Sequence, residues 1–357
     1  MKKPQRILII RTDRLGDVIL STPVIKNLKM AFPEAYVAFM CRPYTKDVLE
    51  GNPYLDEVIV YDKYGKDKNF YQTLRFAKYL KSKKFDLALI LHPTNRAHLL
   101  TYLARIPERI GYDRNLGFLL TKRIVHKKQE GRKHELDYTL DILRFLGIKI
   151  VDETAYFPVN EKARKKINNL LGDYAIEDAE KIIAVHPCAS CSSKRWPIKN
   201  FIKLIDLISK EFKARFILVA SEKEAILADE LAGYPGIIDL RAKLSISELG
   251  ALLERADLFI SNDSGPVHIA ASLKKPVIAI FGRNNPGLSP RRWRPLGDNS
   301  FFLHKHPGCE PCLAHHCQKN YVCLDQTKPE EAYELCQKIL KMPYLVFKKK
   351  FDKVKLE

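Results

Sequence analysis

The stretch Ser261–Ser272, SNDSGPVHIAAS, decides how this chain is expected to fold. It lies between two apolar runs, Leu258–Ile260 and Pro276–Ile280, and each run has the pattern of a buried strand. A polar turn therefore follows one strand and opens a short helix. Ligands of open α/β sheets bind at the carboxyl ends of the strands, and backbone N–H groups at a helix start favour an anion. We therefore expect the ribose and phosphates of a nucleotide at this turn.

A second strand-to-helix turn stands near the start of the chain. Arg6–Ile10 has the pattern of a buried strand, and the polar loop Arg11–Asp17, RTDRLGD, precedes a helix pattern that begins at Val18. The loop lacks the G-x-G-x-x-G spacing, so a phosphate cradle is not indicated. Asp17 stands at a helix start, where the helix dipole keeps a carboxylate ionised. A general base and a plain helix cap are both open, and the cap is the commoner role.

A third loop, His186–Pro197, reads HPCASCSSKRWP and follows the strand pattern Ile182–Val185. We call it the hydroxyl-rich loop. Lysine and arginine neutralise phosphate charge and hydroxyl groups donate hydrogen bonds, so the loop predicts a diphosphate site, with a solvated loop of incidental charge as the alternative. The residues proposed to bind the diphosphate are Ser190, Ser192, Ser193, Lys194 and Arg195.

Together, the three segments resemble glycosyltransferase family 9, the ADP-heptose:lipopolysaccharide heptosyltransferases. The matching pieces occur in order between about residue 6 and residue 323: ILIIRTDRLGDVILSTPVIKNLKMAFPEA, HPCASCSSKRWP and SNDSGPVHIAASLKKPVIAIFG. The resemblance implies an α/β chain with the GT-B fold, in which two Rossmann-like domains face each other across a cleft. It also implies inverting transfer of a heptose from a nucleotide, with no required metal.

The resemblance assigns roles to particular residues. It makes Asp17 of the Leu-Gly-Asp motif the catalytic base that accepts a proton from the acceptor hydroxyl. It implies ADP-heptose as the donor and a lipid A/Kdo-type glycolipid as the acceptor. For His268 a packing or capping role is the plain alternative. The donor-binding residues that it implies, with Ser190 from the hydroxyl-rich loop, are Lys194, Asp263, Ser264, Gly265 and His268.

Two cysteines depart from the family pattern. Cys188 and Cys191 stand where a glycine and an aromatic residue are expected after His-Pro. The Cys-x-x-Cys spacing has no thioredoxin-like context, so we expect two small buried thiols rather than a redox motif.

The alternation of strand and helix patterns predicts two domains and an α/β class. We expect an acceptor-binding domain over 1–165 and a nucleotide-sugar-binding domain over 166–340, with a basic tail over 341–357. The second domain contains a cysteine-rich segment, 304–323. Beyond the strand at the N-terminus, strands are predicted at 36–41, 57–60, 85–91, 107–111, 181–186, 215–220, 236–240, 257–261 and 276–281.

The formal net charge of +19 includes lysine clusters at 81–84, 127–128 and 348–350. These charges favour an anionic membrane surface or a phosphorylated lipid, and a lysine-rich solvated surface fits them equally. No recognised nucleic-acid-binding module is present, so no nucleic-acid partner is predicted. No apolar run approaches the ~20 residues that span a bilayer. We expect a cytoplasmic enzyme, and the membrane alternative would place it peripherally on the inner face of the cytoplasmic membrane.

Four of the eight cysteines form the cluster Cys309-x2-Cys312-x4-Cys317-x5-Cys323. A structural zinc or iron–sulfur site, one or two disulfides, and free thiols are all open, because the spacing fits no common metal motif. A catalytic role is not expected.

Two other functions remain open on the sequence. One is a GT-B enzyme of different chemistry, such as a nucleotide-sugar 2-epimerase. The other is a non-catalytic nucleotide-sugar-binding paralogue, and the presence of both Asp17 and Lys194 argues against it.

Overall fold

The computed structural model describes residues 3–177 and 179–341. The chain forms two compact units, one ending at Pro158 and the other beginning at Val159. Of the predicted basic tail, only Lys341 lies within the described residues. Within the described ranges, no helix combines the length and the apolar character that crossing a bilayer requires.

The first unit is built on a six-stranded parallel sheet with the order β3-β2-β1-β4-β5-β6. This is a Rossmann-type order, and it reverses between β1 and β4, so the loops that follow these two strands flank one crevice. The strands are β1 Arg6–Ile10, β2 Tyr36–Cys41, β3 Glu57–Val60, β4 Leu87–Ile90, β5 Glu108–Asp113 and β6 Lys122–Val125. The helices are α1 Leu15–Ile19, α2 Thr22–Ala31, α3 Phe70–Ser82, α4 Asn95–Leu103 and α5 Glu135–Phe145.

The second unit repeats this arrangement with the order β12-β11-β10-β7-β8-β9, again parallel throughout. Its order reverses between β7 and β10, which carry the hydroxyl-rich loop and Asp263 at their carboxyl ends. The strands are β7 Lys181–His186, β8 Ala214–Leu218, β9 Ile237–Asp239, β10 Leu258–Asn262, β11 Val277–Phe281 and β12 Ser300–His304. The helices are α6 Glu161–Asp173, α7 Ile198–Ser209, α8 Asp229–Ala232, α9 Ile246–Arg255, α10 Pro266–Ser272, α11 Pro290–Trp293, α12 Val322–Asp325 and α13 Pro329–Lys341.

The boundary between the units lies earlier than the predicted one at 165/166, which falls inside α6. Helix α6 belongs to the second unit because its basic side chains pair with carboxylates of α9. Arg164 Nε lies 2.7 Å from Glu254 Oε2, and Lys166 Nζ lies 2.6 Å from Glu248 Oε1.

The structure confirms the predicted strands and adds β6 and β12, which the sequence did not indicate. Both are edge strands whose residues are half-buried or exposed, so neither shows a continuous apolar run. The predicted helix from Val18 begins earlier, at Leu15, and is broken in two. Pro23 occupies the first turn of α2, where its missing N–H costs nothing.

The core of the second unit fixes the end of the hydroxyl-rich loop. Trp196 is 1% exposed and packs edge-to-face on Phe201, with 4.9 Å between the ring centroids. Its indole Nε1 donates to the Thr327 carbonyl over 2.9 Å, so the ring is both packed and hydrogen-bonded. The residues just before Trp196 are thereby held at the sheet edge.

Candidate active site

In the first unit, a buried arginine directly after β1 donates hydrogen bonds to three carboxylates. Arg11 is 1% exposed, and its Nε lies 2.8 Å from Asp13 Oδ1. Its Nη2 donates to Asp17 and, over 3.0 Å, to Glu135 Oε1. Asp17 lies in the first turn of α1, whose N-cap is Arg14 with no side-chain capping hydrogen bond. Asp17 is therefore an ionic partner of Arg11 and is not the N-cap residue.

A second buried cation completes this cluster. Glu135 is fully buried at the start of α5, and its Oε1 also accepts a hydrogen bond from Lys128 Nζ over 3.0 Å. Lys128 is 2% exposed and donates to the Leu91 carbonyl as well. Its assignment to a surface lysine cluster is therefore wrong, because Glu135 compensates its charge in the interior. The sequence did not single out Arg11, Asp13 or Glu135.

The environment of Asp17 suits a proton acceptor. Burial raises the pKa of Asp17, the negative charge of Asp13 raises it further and Arg11 opposes both, leaving a pKa of about 6. Half-buried His92, which follows β4, lies 3.4 Å from Asp13 through its Nδ1. Burial, followed by the positive charge of Arg11, lowers the pKa of His92 to about 3. With a pKa of about 6, Asp17 is mainly ionised at neutral pH and can accept a proton there.

In the second unit, two cations meet one carboxylate. Asp263 follows β10 and is 5% exposed; its Oδ2 lies 3.1 Å from Lys194 Nζ and also accepts from Arg283 Nη2. Lys194 donates to the Asp263 carbonyl over 2.9 Å as well. Arg283 follows β11 and is 4% exposed, and its Nε has no hydrogen-bond partner among the described residues. Two cations on one carboxylate leave an excess positive charge, which favours a phosphate ligand.

The hydroxyl-rich loop lies directly on the ends of β10 and β11. The Asn262 side chain donates to the Pro187 carbonyl over 2.6 Å and accepts from the Trp196 backbone N–H over 3.0 Å. A Cβ atom at Gly282 would meet the Ser193 carbonyl oxygen at 2.5 Å. Glycine is therefore required at this position for the loop to approach the strand end so closely.

The remaining predicted donor residues occupy different environments. Ser264 Oγ lies 2.9 Å from Ser261 Oγ and 3.3 Å from His186 Nδ1. Gly265 is the half-buried N-cap of α10, and His268 is buried within that helix. Ser190 is exposed on the hydroxyl-rich loop. Among the predicted donor residues, the structure brings Lys194 into direct contact with Asp263.

The sequence analysis missed Arg283 and His186. Burial lowers the pKa of His186 at the end of β7, so the ring beside Ser264 is neutral at neutral pH. A glycine followed by arginine directly after a predicted strand was the only signal for Arg283.

Of the two cysteines that depart from the family pattern, Cys188 is fully buried, as predicted. Burial raises the pKa of its thiol to about 12. Cys191 is only half-buried.

The four clustered cysteines, Cys309, Cys312, Cys317 and Cys323, line one cavity of about 240 Å³. All eight cysteines are free thiols in the structure. Within residues 3–177 and 179–341, no three His, Cys, Asp or Glu side chains are grouped as metal ligands. A structural metal or a disulfide that links these thiols stays a prediction.

The cysteine-rich segment contacts two loops of the second unit, the hydroxyl-rich loop and the loop that carries Arg283. Asn284 directly follows Arg283, and its backbone N–H donates a hydrogen bond to Cys312 Sγ over 3.2 Å. Ser193 directly precedes Lys194, and its Oγ lies 3.2 Å from His315 Nδ1. The segment therefore supports the loops that hold the two cations.

We expect Cys312→Ser to lower the melting temperature while sparing turnover at low temperature. If the thiols are cross-linked in solution, losing the link should cost about 2–4 kcal/mol of unfolding free energy. Metal analysis and a free-thiol count on protein purified without oxygen would identify the link, with Cys191→Ser as a control outside the segment. Eight titratable thiols in the unfolded protein, no metal and unchanged melting in Cys312→Ser would refute a link between these thiols.

Sequence comparisons point to one family. The model of glycosyltransferase family 9 (heptosyltransferase) matches residues 73–322. Lipopolysaccharide heptosyltransferase 3 of Escherichia coli K12 is 28% identical over 297 residues, which cover 80% of this chain and 83% of that protein. Lipooligosaccharide heptosyltransferase 2 of Campylobacter jejuni is 25% identical over 343 residues, covering 93% and 97%.

Solved structures of this family share the fold. A family 9 glycosyl transferase from Veillonella parvula superposes with a TM-score of 0.85 at 23% identity, covering 94% of this chain and 97% of that chain. The Escherichia coli heptosyltransferase WaaC with ADP gives a TM-score of 0.72 at 20% identity, covering 94% and 100%. The predicted α/β fold of the GT-B type, with two Rossmann-like units, is confirmed.

Proposed function

The chain belongs to glycosyltransferase family 9 and is a glycosyltransferase, and we propose that it moves a heptose from ADP-heptose to a lipopolysaccharide inner-core acceptor with inversion. One observation carries the chemistry. Each Rossmann-like unit concentrates charge at the point where its strand order reverses, as an aspartate with a pKa of about 6 in the first unit and as a two-cation site in the second.

The two-cation site supports a diphosphate donor. Lys194 and Arg283 supply charge-assisted donors, and the hydroxyl of Ser264 adds a neutral one. The WaaC structure is a complex with ADP, and the curated relatives are lipopolysaccharide or lipooligosaccharide heptosyltransferases. These relatives support a nucleotide-activated donor and a lipopolysaccharide acceptor, and the proposal assigns ADP-heptose and a lipid A/Kdo-type glycolipid to these two roles.

The proposed reaction follows from these groups. The acceptor hydroxyl oxygen forms a bond to the anomeric carbon from the face opposite the nucleotide, and its proton passes to the Asp17 carboxylate. The bond between the anomeric carbon and the phosphate oxygen breaks, and its electron pair stays on ADP. Lys194 and Arg283 stabilise the charge that develops on the diphosphate, and such preorganised electrostatics is often the largest catalytic contribution.

Transfer assays separate this proposal from the other functions. Protein is incubated with ADP-heptose, with and without Kdo-containing lipid A, and both products are identified by mass spectrometry. We expect ADP release and a heptose-extended glycolipid only when the acceptor is present. An isomerised nucleotide-sugar without acceptor would identify an epimerase, and donor binding without any conversion would identify a non-catalytic paralogue.

Lys194→Ala is expected to weaken ADP binding by about 10–100-fold, because a hydrogen bond to a charged group contributes about 1.5–3 kcal/mol. Isothermal titration calorimetry with ADP measures the change. Lys203→Ala is the matched control, because Lys203 forms an exposed ion pair with Glu330 in the same unit. Asp263→Ala should weaken binding as well, by releasing Lys194 and Arg283 from their positions. Equal ADP affinity in wild type and Lys194→Ala would remove Lys194 from the donor site.

A glycolipid acceptor would place the enzyme at the inner face of the cytoplasmic membrane. Of the lysines predicted to face an anionic surface, Lys81, Lys84 and Lys127 are exposed. Lys83 is half-buried and pairs with Glu57 over 2.6 Å. The lysines at 348–350 lie outside the described residues. Exposed cations of this kind support peripheral attachment to anionic lipid.

A further inference from the structure

Large apolar side chains are exposed within one short segment of the first unit. Phe70, Tyr71 and Leu74, at the start of α3, are 67%, 76% and 40% exposed, and Tyr64 in the preceding loop is 65% exposed. Soluble proteins rarely leave such a group uncovered, and exposed apolar patches mark binding surfaces.

Helix α3 uses a different side for its own packing. Ala77 and Leu80 are buried against the first unit. Phe70, Leu74 and Lys78 are spaced by four residues and therefore share a stripe along the helix. This stripe is apolar in the first turns and basic further on.

The same segment is strongly basic. Between Asp62 and Ser82 the sequence has six basic and two acidic residues. Both acidic side chains accept hydrogen bonds from the local backbone: Asp62 Oδ1 from the Gly65 N–H over 3.0 Å, and Asp67 Oδ2 from the Asp62 N–H over 2.9 Å. The charge that the segment presents to solvent is therefore mainly positive.

The loop before α3 is fixed by specific contacts. Arg96 donates to the Lys63 carbonyl over 2.7 Å and to the Lys68 carbonyl over 2.8 Å. A reciprocal capping box between Asn69 and Gln72 begins the helix. The exposed side chains are thus presented from an ordered segment, which lowers the entropic cost of binding.

This surface is connected to the loop that carries the candidate base. The Arg42 guanidinium lies 4.6 Å from the ring centroids of both Tyr44 and Tyr64. The Tyr44 hydroxyl donates to the Asp13 carbonyl over 2.9 Å. A binding partner that contacts Tyr64 would therefore lie close to the loop between β1 and α1, within the first unit.

We infer that this segment docks on an anionic phospholipid bilayer. Aromatic rings favour the headgroup region, and lysines beside them are attracted to anionic lipid. A second copy of the chain is a poorer occupant, because two such basic segments would repel each other. The inference names the membrane-contacting surface and does not depend on which sugar is transferred. The docking face is Tyr64, Lys66, Lys68, Phe70, Tyr71 and Leu74.

Co-sedimentation with vesicles tests the docking face without donor or acceptor. Full-length protein is mixed with vesicles of phosphatidylglycerol and phosphatidylethanolamine, or of phosphatidylcholine alone. The triple variant Phe70→Ser/Tyr71→Ser/Leu74→Ser should bind the anionic vesicles about tenfold or more weakly than wild type. Ile226→Ser, at a site 75% exposed in the second unit, is the matched control and should bind as wild type does.

A charge variant, Lys66→Glu/Lys68→Glu, should also lose binding, and salt should weaken the wild-type interaction because exposed charges are screened. The substituted side chains are exposed, so melting temperatures should not change. Equal binding of the triple variant and wild type to anionic vesicles would overturn the inference. So would equal wild-type binding to phosphatidylcholine, or a wild-type dimer that the triple variant converts to a monomer.

Discussion

Asp17→Asn is expected to lower kcat by about 10²–10⁴-fold, the range typical of a lost general base. Asparagine keeps the size of the side chain and can still accept a hydrogen bond from Arg11, but it cannot take up the acceptor proton. The proposed donor residues all lie in the second unit, so the Kd for ADP should stay close to that of wild type. Steady-state transfer assays and calorimetry measure the two quantities separately.

The pH dependence of wild-type kcat/KM provides an independent readout. Burial and Asp13 raise the pKa of Asp17 to about 6, so the carboxylate that accepts the proton is lost as the pH falls through that value. Below it, kcat/KM should fall about tenfold per pH unit, and Asp17→Asn should lack this limb.

Asp137→Asn is the matched control, because Asp137 is a half-buried residue of α5 in the same unit, and its carboxylate lies 3.7 Å from Arg144 rather than in the cluster around Arg11. This control should retain wild-type turnover and the wild-type pH profile. Near-wild-type turnover of Asp17→Asn, with an unchanged acidic limb, would reduce Asp17 to a structural partner of Arg11.

Much of this site could be predicted from the sequence because its residues follow strands. Asp17, Lys194 and Asp263 stand in polar loops behind apolar runs, and parallel sheets place such loops at one edge. The pairing of Lys194 with Asp263, however, spans 69 residues and depends on β7 and β10 being neighbours in the sheet. That strand order is a tertiary property, and local patterns do not contain it.

The charge network around Arg11 shows the other limit. Glu135 lies 124 residues from Arg11 in the chain, and nothing in its local sequence separates it from a surface glutamate. Lys128 has the sequence context of a solvated lysine, yet it is buried because α5 brings Glu135 against it. Burial of a charged residue depends on its compensating partner, and that partner is known only when the fold is known.

Glu135→Gln is expected to destabilise the first unit by about 3–5 kcal/mol, because removing one member of a buried ionic network leaves uncompensated charge. Arg11 and Lys128 both donate to Glu135 Oε1, so the neutral amide leaves two buried cations with less compensating charge. Urea unfolding followed by far-UV circular dichroism should show an earlier transition. Both tryptophans, Trp196 and Trp293, belong to the second unit, so their fluorescence reports on that unit alone.

Two further variants separate lost charge from lost shape. Glu153→Gln removes an exposed carboxylate that pairs with Arg144 in the same unit, and it should change stability by less than about 1 kcal/mol. Adding Lys128→Met to Glu135→Gln removes one of the two buried cations that have lost the Glu135 charge. The double variant should recover part of the lost stability, because the remaining cation, Arg11, still pairs with Asp13 and Asp17. If the double variant is less stable than Glu135→Gln, packing and not charge compensation explains the loss. If Glu135→Gln unfolds at the wild-type urea concentration, the network does not support the loop that holds Asp17.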